Sequence, residues 1–170
     1  MIQVRAKPLS KTQGLLVANN LVLPCALGKG GISAFKREGD GATPLASMQL
    51  LYGYYRADRI RLPATMLPMH PIRKSDGWCD TPADANYNRL VRLPYPVGHE
   101  KMWRDDGLYD LCIVMEWNIS PRKRGRGSAI FFHLAKPDYK PTEGCIALSR
   151  ENMMRLLPYL SRDTRIEVLR

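Results

Sequence analysis

Residues 109–133 restrict the fold more than any other stretch. Tyr109-Asp-Leu-Cys-Ile-Val-Met-Glu-Trp-Asn118 is a nearly continuous apolar run, and Ser128-Ala-Ile-Phe-Phe-His133 is a second. Apolar runs of this length, bounded by turn signals, read as strands buried on both faces. The basic, glycine-bearing turn between them, Pro121-Arg-Lys-Arg-Gly-Arg-Gly127, makes them antiparallel neighbours. Two central strands need further strands on either side and a layer above and below. The candidate site begins where the second run ends: His133, a polar proline-bearing loop, then Thr142-Glu-Gly-Cys145, a short apolar step at Ile146–Leu148 and a helix start at Ser149.

The rest of the chain supplies the expected partners. Ile2–Arg5 reads as a strand, and Leu15–Ala18 and Leu21–Leu27 read as a hairpin turning at Asn19-Asn20, with Pro24 at an edge or bulge. The segment Gly28–Pro44 is glycine-rich but lacks the G-x-x-x-x-G-K-[ST] spacing of a phosphate loop, so it is expected to be a surface loop. Ser47–Tyr55 is rich in β-formers, with Gly53 marking a bulge or a close approach. From Arg56 onward, Pro63, Pro68, Pro71, Pro82, Pro94 and Pro96 break any periodicity, apart from a short strand near Arg89–Leu93. Long irregular segments in compact domains commonly form lids or site walls, which is the expectation for an insertion over about residues 56–108. Ser149–Leu160 is a helix with an N-cap serine, an apolar stripe at Met153, Leu156, Leu157 and Leu160, and a last turn distorted by Pro158. Asp163–Leu169 alternates as a closing strand. The fold class is therefore mostly β (α+β): one domain over residues 1–170, a small barrel or sandwich with one helix on its C-terminal side.

Composition adds limits. A chain of 170 residues suits one domain. The four cysteines, Cys25, Cys79, Cys112 and Cys145, form no C-x-x-C pair, which argues against a zinc knuckle or a disulfide framework. No apolar run reaches the roughly 20 residues of a membrane helix. The N-terminal residues show no apolar signal core, so the expected location is cytoplasmic, or periplasmic had a signal been removed. The formal net charge of +10 fits a carboxylate-rich substrate or a polyanion.

The chemistry expected at the elbow is that of an activated thiol. Cys145 follows a glycine, which permits a tight turn and leaves room for substrate. The N–H groups of Gly144 and Cys145 can converge on an oxyanion, and one such donor is typically worth about 10²–10³ in rate. His133 is the candidate base, with the carbonyl of Leu134 as the acceptor that orients its other ring nitrogen. His99, Trp103 and Arg104 are candidates to line the site. Two other classes compete with this reading. Arg122, Lys123, Arg124 and Arg126 are compatible with a nucleic-acid-binding module, although a solvated turn explains them better and no aromatic RNA-binding signature accompanies them. A zinc hydrolase would draw on His70, His99 and His133, which lack any paired zinc-ligand spacing.

The pattern His133, loop, Thr142-Glu-Gly-Cys145-Ile resembles the signature of the L,D-transpeptidase catalytic domain, the YkuD-type family. Gly28-Lys29, Thr43-Pro44 and Met48 look like a version of an earlier segment of that domain. Glu143 stands where the family usually has a histidine, and Ala147 where it has an arginine. The resemblance implies a cysteine acyl-enzyme, His133 as base, Thr142 and Glu143 near the substrate, no cofactor or metal, and a peptidoglycan tetrapeptide or muropeptide as partner. The expected reaction breaks the bond between diaminopimelate and the terminal D-Ala. Hydrolysis by water (L,D-carboxypeptidase) is the first expectation, given the missing export signal, and crosslinking to an amine (L,D-transpeptidase) is the second. Neither a nucleic acid nor a membrane span is expected.

Overall fold

The computed structural model describes residues 1–170. Its strands are β1 (Ile2–Ala6), β2 (Gln13–Ala18), β3 (Leu21–Ala26), β4 (Ile32–Ser33), β5 (Thr43–Pro44), β6 (Ser47–Tyr55), β7 (Met69–Pro71), β8 (Asp76–Cys79), β9 (Leu90–Arg92), β10 (His99–Lys101), β11 (Leu111–Met115), β12 (Phe131–Leu134), β13 (Ile146–Leu148) and β14 (Arg165–Leu169). The one α-helix, α1, is Arg150–Leu156. The main sheet runs β11-β12-β13-β3-β2-β1-β14-β6-β7, and β6 also pairs with β11. That last pairing closes the sheet into a barrel, with β7 added outside. The length of β6 makes closure possible. Its first residues, Ser47–Gln49, pair with β14, and Leu50–Tyr55 pair with β11 across a register shift at Val114/Met115. The expected hairpin forms between β2 and β3, with Asn19 at φ 50° in its turn. Pro24 has no partner on its far side, because β3 touches β13 only at Ala26.

The continuous apolarity of β11 and β12 has a simple cause: both faces are covered. Residues 111, 113 and 115 point into the barrel with Phe132, Leu134, Ile146 and Leu148. Cys112, Val114 and Phe131 point outward into a second cluster with Trp78, Met102, Tyr109 and Cys145. The cover comes from the segment expected to be an irregular insertion. It contains a three-stranded sheet, β10-β8-β9, that packs Trp78 edge-on against Phe131 at 5.1 Å and 89°. Burying an aromatic side chain of this size is worth about 2–3 kcal/mol, so this small sheet is anchored on the barrel wall. The short strand near 90 is β9. Residues 99–101 form β10 because they complete that sheet against β8.

Two further expectations change. A strand, a turn-rich loop and a second apolar step in sequence read as a hairpin that would carry His133 to Cys145, yet β12 and β13 are parallel, with His133 opposite Ala147. The connector 135–145 is therefore a crossover, which brings Cys145 level with Phe131. The glycine-rich segment is also more than a surface loop. A Cβ on Gly28 would lie 2.2 Å from the Gly41 carbonyl oxygen and 2.9 Å from Gly144 Cα, so three backbones meet there and only glycine fits. Buried Thr43 accepts the Gly28 N–H at 2.9 Å and fixes this junction beneath the elbow. Behind the elbow, Ser149 Oγ caps α1 by accepting the Asn152 N–H, and Met153 and Leu156 enter the barrel core. Pro158 converts the end of the helix to a 3-10 turn at Leu157–Tyr159.

Candidate active site

The site lies on the outer wall of the barrel, under the inserted sheet. Gly144 sits at φ 130°, where an added Cβ would stand 2.8 Å from the Ala42 carbonyl oxygen. Thr142 staples the turn: its hydroxyl donates to the Cys145 carbonyl at 2.6 Å and accepts the Gly144 N–H at 3.2 Å. Of the two amides expected to form an oxyanion hole, that of Gly144 is thus already engaged. That of Cys145 makes no hydrogen bond within the chain.

The Cys145 thiol is 5% exposed. Its proton is donated to the Ala129 carbonyl at 3.2 Å, and its sulfur accepts the Phe131 N–H at 3.3 Å. Burial pushes its pKa up to about 12, with the Glu100 carboxylate adding to the rise. His133 is equally buried, and burial pulls its pKa down to about 4. Its Nδ1 lies 2.8 Å from the Leu134 carbonyl oxygen, as expected. A carbonyl only accepts, so Nδ1 carries the proton and Nε2 is left as a lone-pair base. At neutral pH both partners are uncharged. Thiol and imidazole line one cavity of about 420 Å³, but the resting sulfur points toward the Ala129 peptide.

That peptide is held from the inserted segment. Asn88 is buried at φ 58°, and its side-chain oxygen accepts both the Ala129 N–H and the Trp78 indole N–H at 3.0 Å. Its amide nitrogen donates to the carbonyls of Trp117 (3.1 Å) and Asn118 (2.9 Å). All its hydrogen-bonding capacity facing the core is used, and Ala129 is fixed at φ 51°. Tyr109 holds the histidine side. Its ring meets His133 edge-on at 5.3 Å and Phe131 at 5.7 Å, and its hydroxyl donates to Glu100.

The remaining candidates divide by position. Arg104 lines the cavity, pinned to Asp106 and lying 5.1 Å above the Tyr109 ring. Thr142 and Glu143 line it too, and Glu143 pairs with Lys29 at 2.7 Å on the surface. His99 faces a different depression, bonded through Nδ1 to the Val97 carbonyl at 2.7 Å. Trp103 stands apart from the cavity under the Arg56 guanidinium at 3.6 Å. His70 packs against Tyr52 and Tyr54, so the three histidines do not converge. The basic turn is ordered by Asn118, which bonds the Lys123 and Gly127 carbonyls at 3.0 Å, and Lys123, Arg124 and Arg126 project into solvent. Sequence reasoning missed Asn88, Glu100 and Tyr109. None stands in a motif, and each reaches the site only through tertiary contact.

Residues 10–168 of this barrel and its cover match the family model described as YkuD: L,D-transpeptidase catalytic domain. Among solved structures, the crystal structure of Mycobacterium tuberculosis L,D-transpeptidase 1 is similar at 15% identity and a TM-score of 0.41, covering 98% of this chain and 60% of that one. The chain thus spans about three fifths of that protein's length. No curated protein matches.

Proposed function

The chain belongs to the L,D-transpeptidase catalytic-domain family, and on that premise we propose that Cys145 takes the acyl group from the bond between diaminopimelate and D-Ala of a peptidoglycan tetrapeptide stem. The observation that carries this reading is the shared cavity of Cys145 and His133, in which the Leu134 carbonyl leaves Nε2 free to receive a proton.

The pKa values restrict the mechanism. With the thiol at about 12, a free thiolate at pH 7 would cost about 7 kcal/mol, five pH units at 1.36 kcal/mol each. Proton transfer must therefore accompany attack. The sulfur turns away from the Ala129 carbonyl, gives its proton to Nε2 and bonds to the substrate carbonyl carbon. The developing oxyanion is received by the open Cys145 N–H. The imidazolium passes its proton to the departing D-Ala nitrogen as the C–N bond breaks, leaving a thioester. Water, deprotonated by Nε2, then releases the tripeptide. Water is the first acceptor in this proposal. An amine of a second stem would instead yield a crosslink.

Mass spectrometry of a tetrapeptide incubated with the protein, with and without an amine acceptor, tests this. The expected product is the tripeptide, absent with Cys145→Ala at unchanged far-UV circular dichroism. D-Ala loss at the wild-type rate in Cys145→Ala would refute the mechanism, and dimer formation with the amine would make the enzyme a transferase.

A further inference from the structure

Besides Glu143, which pairs with Lys29, three carboxylates line the Cys145 cavity from separate parts of the chain: Glu38 from the glycine-rich segment, Asp80 just after β8, and Glu100 in β10. Cations outnumber acids 26 to 16 in this protein, yet none of the three is in an ion pair. Of the four cations that line the cavity with them, Lys136 and Lys140 form no ion pair, and the other two are engaged elsewhere. Buried Lys36 is bound to Asp40 and to the Arg37 carbonyl, and Arg104 to Asp106. Neutral donors hold two of the carboxylates instead: the Tyr87 hydroxyl donates to Glu38 and the Tyr109 hydroxyl to Glu100. A phenol orients a carboxylate without cancelling its charge. A separate observation in the same wall points to a polar ligand. Ser128, 7% exposed, has a hydroxyl with no hydrogen-bond partner. The acids also sense one another. Burial first, then the neighbouring carboxylates, raises the pKa of Asp80 and of Glu100. No three acidic, His or Cys groups stand close enough together to hold a metal ion.

We propose that Glu38, Asp80 and Glu100 form a subsite of the Cys145 cavity that binds a primary ammonium carried by the substrate. An ammonium needs direct contact with only one carboxylate, and the others, spaced too widely to share a metal ion, act on it through their field. This inference rests on the acyl-transfer reading of the cavity and specifies what the enzyme reads in its substrate: a side-chain amine close to the scissile carbonyl. It also links binding to chemistry, because an ammonium beside Glu100 offsets the carboxylate charge that adds to the effect of burial on the Cys145 thiol.

The test compares a tetrapeptide carrying diaminopimelate with its free side-chain amine and the same peptide acetylated on that amine. The wild type is expected to prefer the free amine by about tenfold or more in kcat/KM, the scale of one hydrogen-bonded charge. In the double variant Asp80→Asn, Glu100→Gln, in which both amides still accept hydrogen bonds, that preference should shrink to about threefold or less. Calorimetric binding of both peptides to Cys145→Ala gives the same comparison without turnover. Equal use of the two peptides by the wild type overturns the subsite and leaves the acyl-transfer reading intact. A preference that survives undiminished in the double variant also overturns it. Cleavage of neither peptide sinks the acyl-transfer reading, and the subsite falls with it.

Discussion

His133 should make the protein acid-sensitive by a predictable amount. The imidazole is 5% exposed, and burial lowers its pKa from 6.5 to about 4. A base whose folded pKa is depressed takes up its proton more readily in the unfolded chain. Its contribution to stability is complete above pH 6.5 and is lost as pH falls toward 4. Between pH 7.5 and 4.5 the linkage relation gives a loss of about 2.5 kcal/mol, most of the roughly 3.4 kcal/mol that the full gap between those two values is worth at 1.36 kcal/mol per unit. For a domain of this length, that corresponds to about 5–10 °C in Tm. The perturbation is His133→Asn, which removes the titration. The variant loses packing against Tyr109 and should be less stable at pH 7.5, but its deficit should close by about 2.5 kcal/mol at pH 4.5. Other titrating groups, including Asp80 and Glu100 with their raised values, are present in both proteins and cancel to first order. The assay is urea unfolding followed by tryptophan fluorescence at half-unit pH steps. Parallel stability curves for the two proteins would refute the assignment of a neutral, buried imidazole.

The elbow carries two other predictions. Gly144→Ala puts a Cβ 2.8 Å from a backbone oxygen at φ 130°, a conflict that no side-chain rotation relieves; tripeptide formation should fall by about 10² or more, and Tm should drop measurably, since strain of this kind costs on the order of 1–3 kcal/mol. Glu143→Gln breaks an ion pair whose partners are 57% and 71% exposed, so the urea midpoint should correspond to a change within about 0.5 kcal/mol, and a larger one would show that the pair braces the loop.

The barrel was legible wherever local pattern and tertiary environment agreed. The Asn19-Asn20 turn, the capped helix at Ser149 and the alternation of Asp163–Leu169 each carry their own signal, and each forms, the closing strand beginning at Arg165. Closure was not legible. It depends on β6 serving both β14 and β11, and nothing in Ser47–Tyr55 marks the residue at which partners change. The parallel β12–β13 pairing was missed for a related reason. A strand, a turn-rich connector and another strand look like a hairpin until the register places Cys145 level with Phe131.

The site itself was half legible, and the division has a physical basis. Cys145, Gly144, His133 and Leu134 lie within thirteen residues, so backbone geometry alone relates them. Asn88, Glu100 and Tyr109 act from a distance through a segment without periodicity, and they determine how the elbow behaves. His133 and Phe131 project from the outer face of the barrel, which would be wet without a cover. The small sheet β10-β8-β9 supplies that cover through Trp78 on Phe131, Asn88 on Ala129 and, through Tyr109, Glu100 behind His133. Burial under this cover is the leading cause of both displaced pKa values. The barrel therefore places the proposed nucleophile and its proposed base, while the inserted sheet sets their protonation and brings carboxylates to the cavity. Variation in residues 76–101 should alter substrate choice and pH response before it alters the fold, because the barrel core draws none of its packing from that sheet.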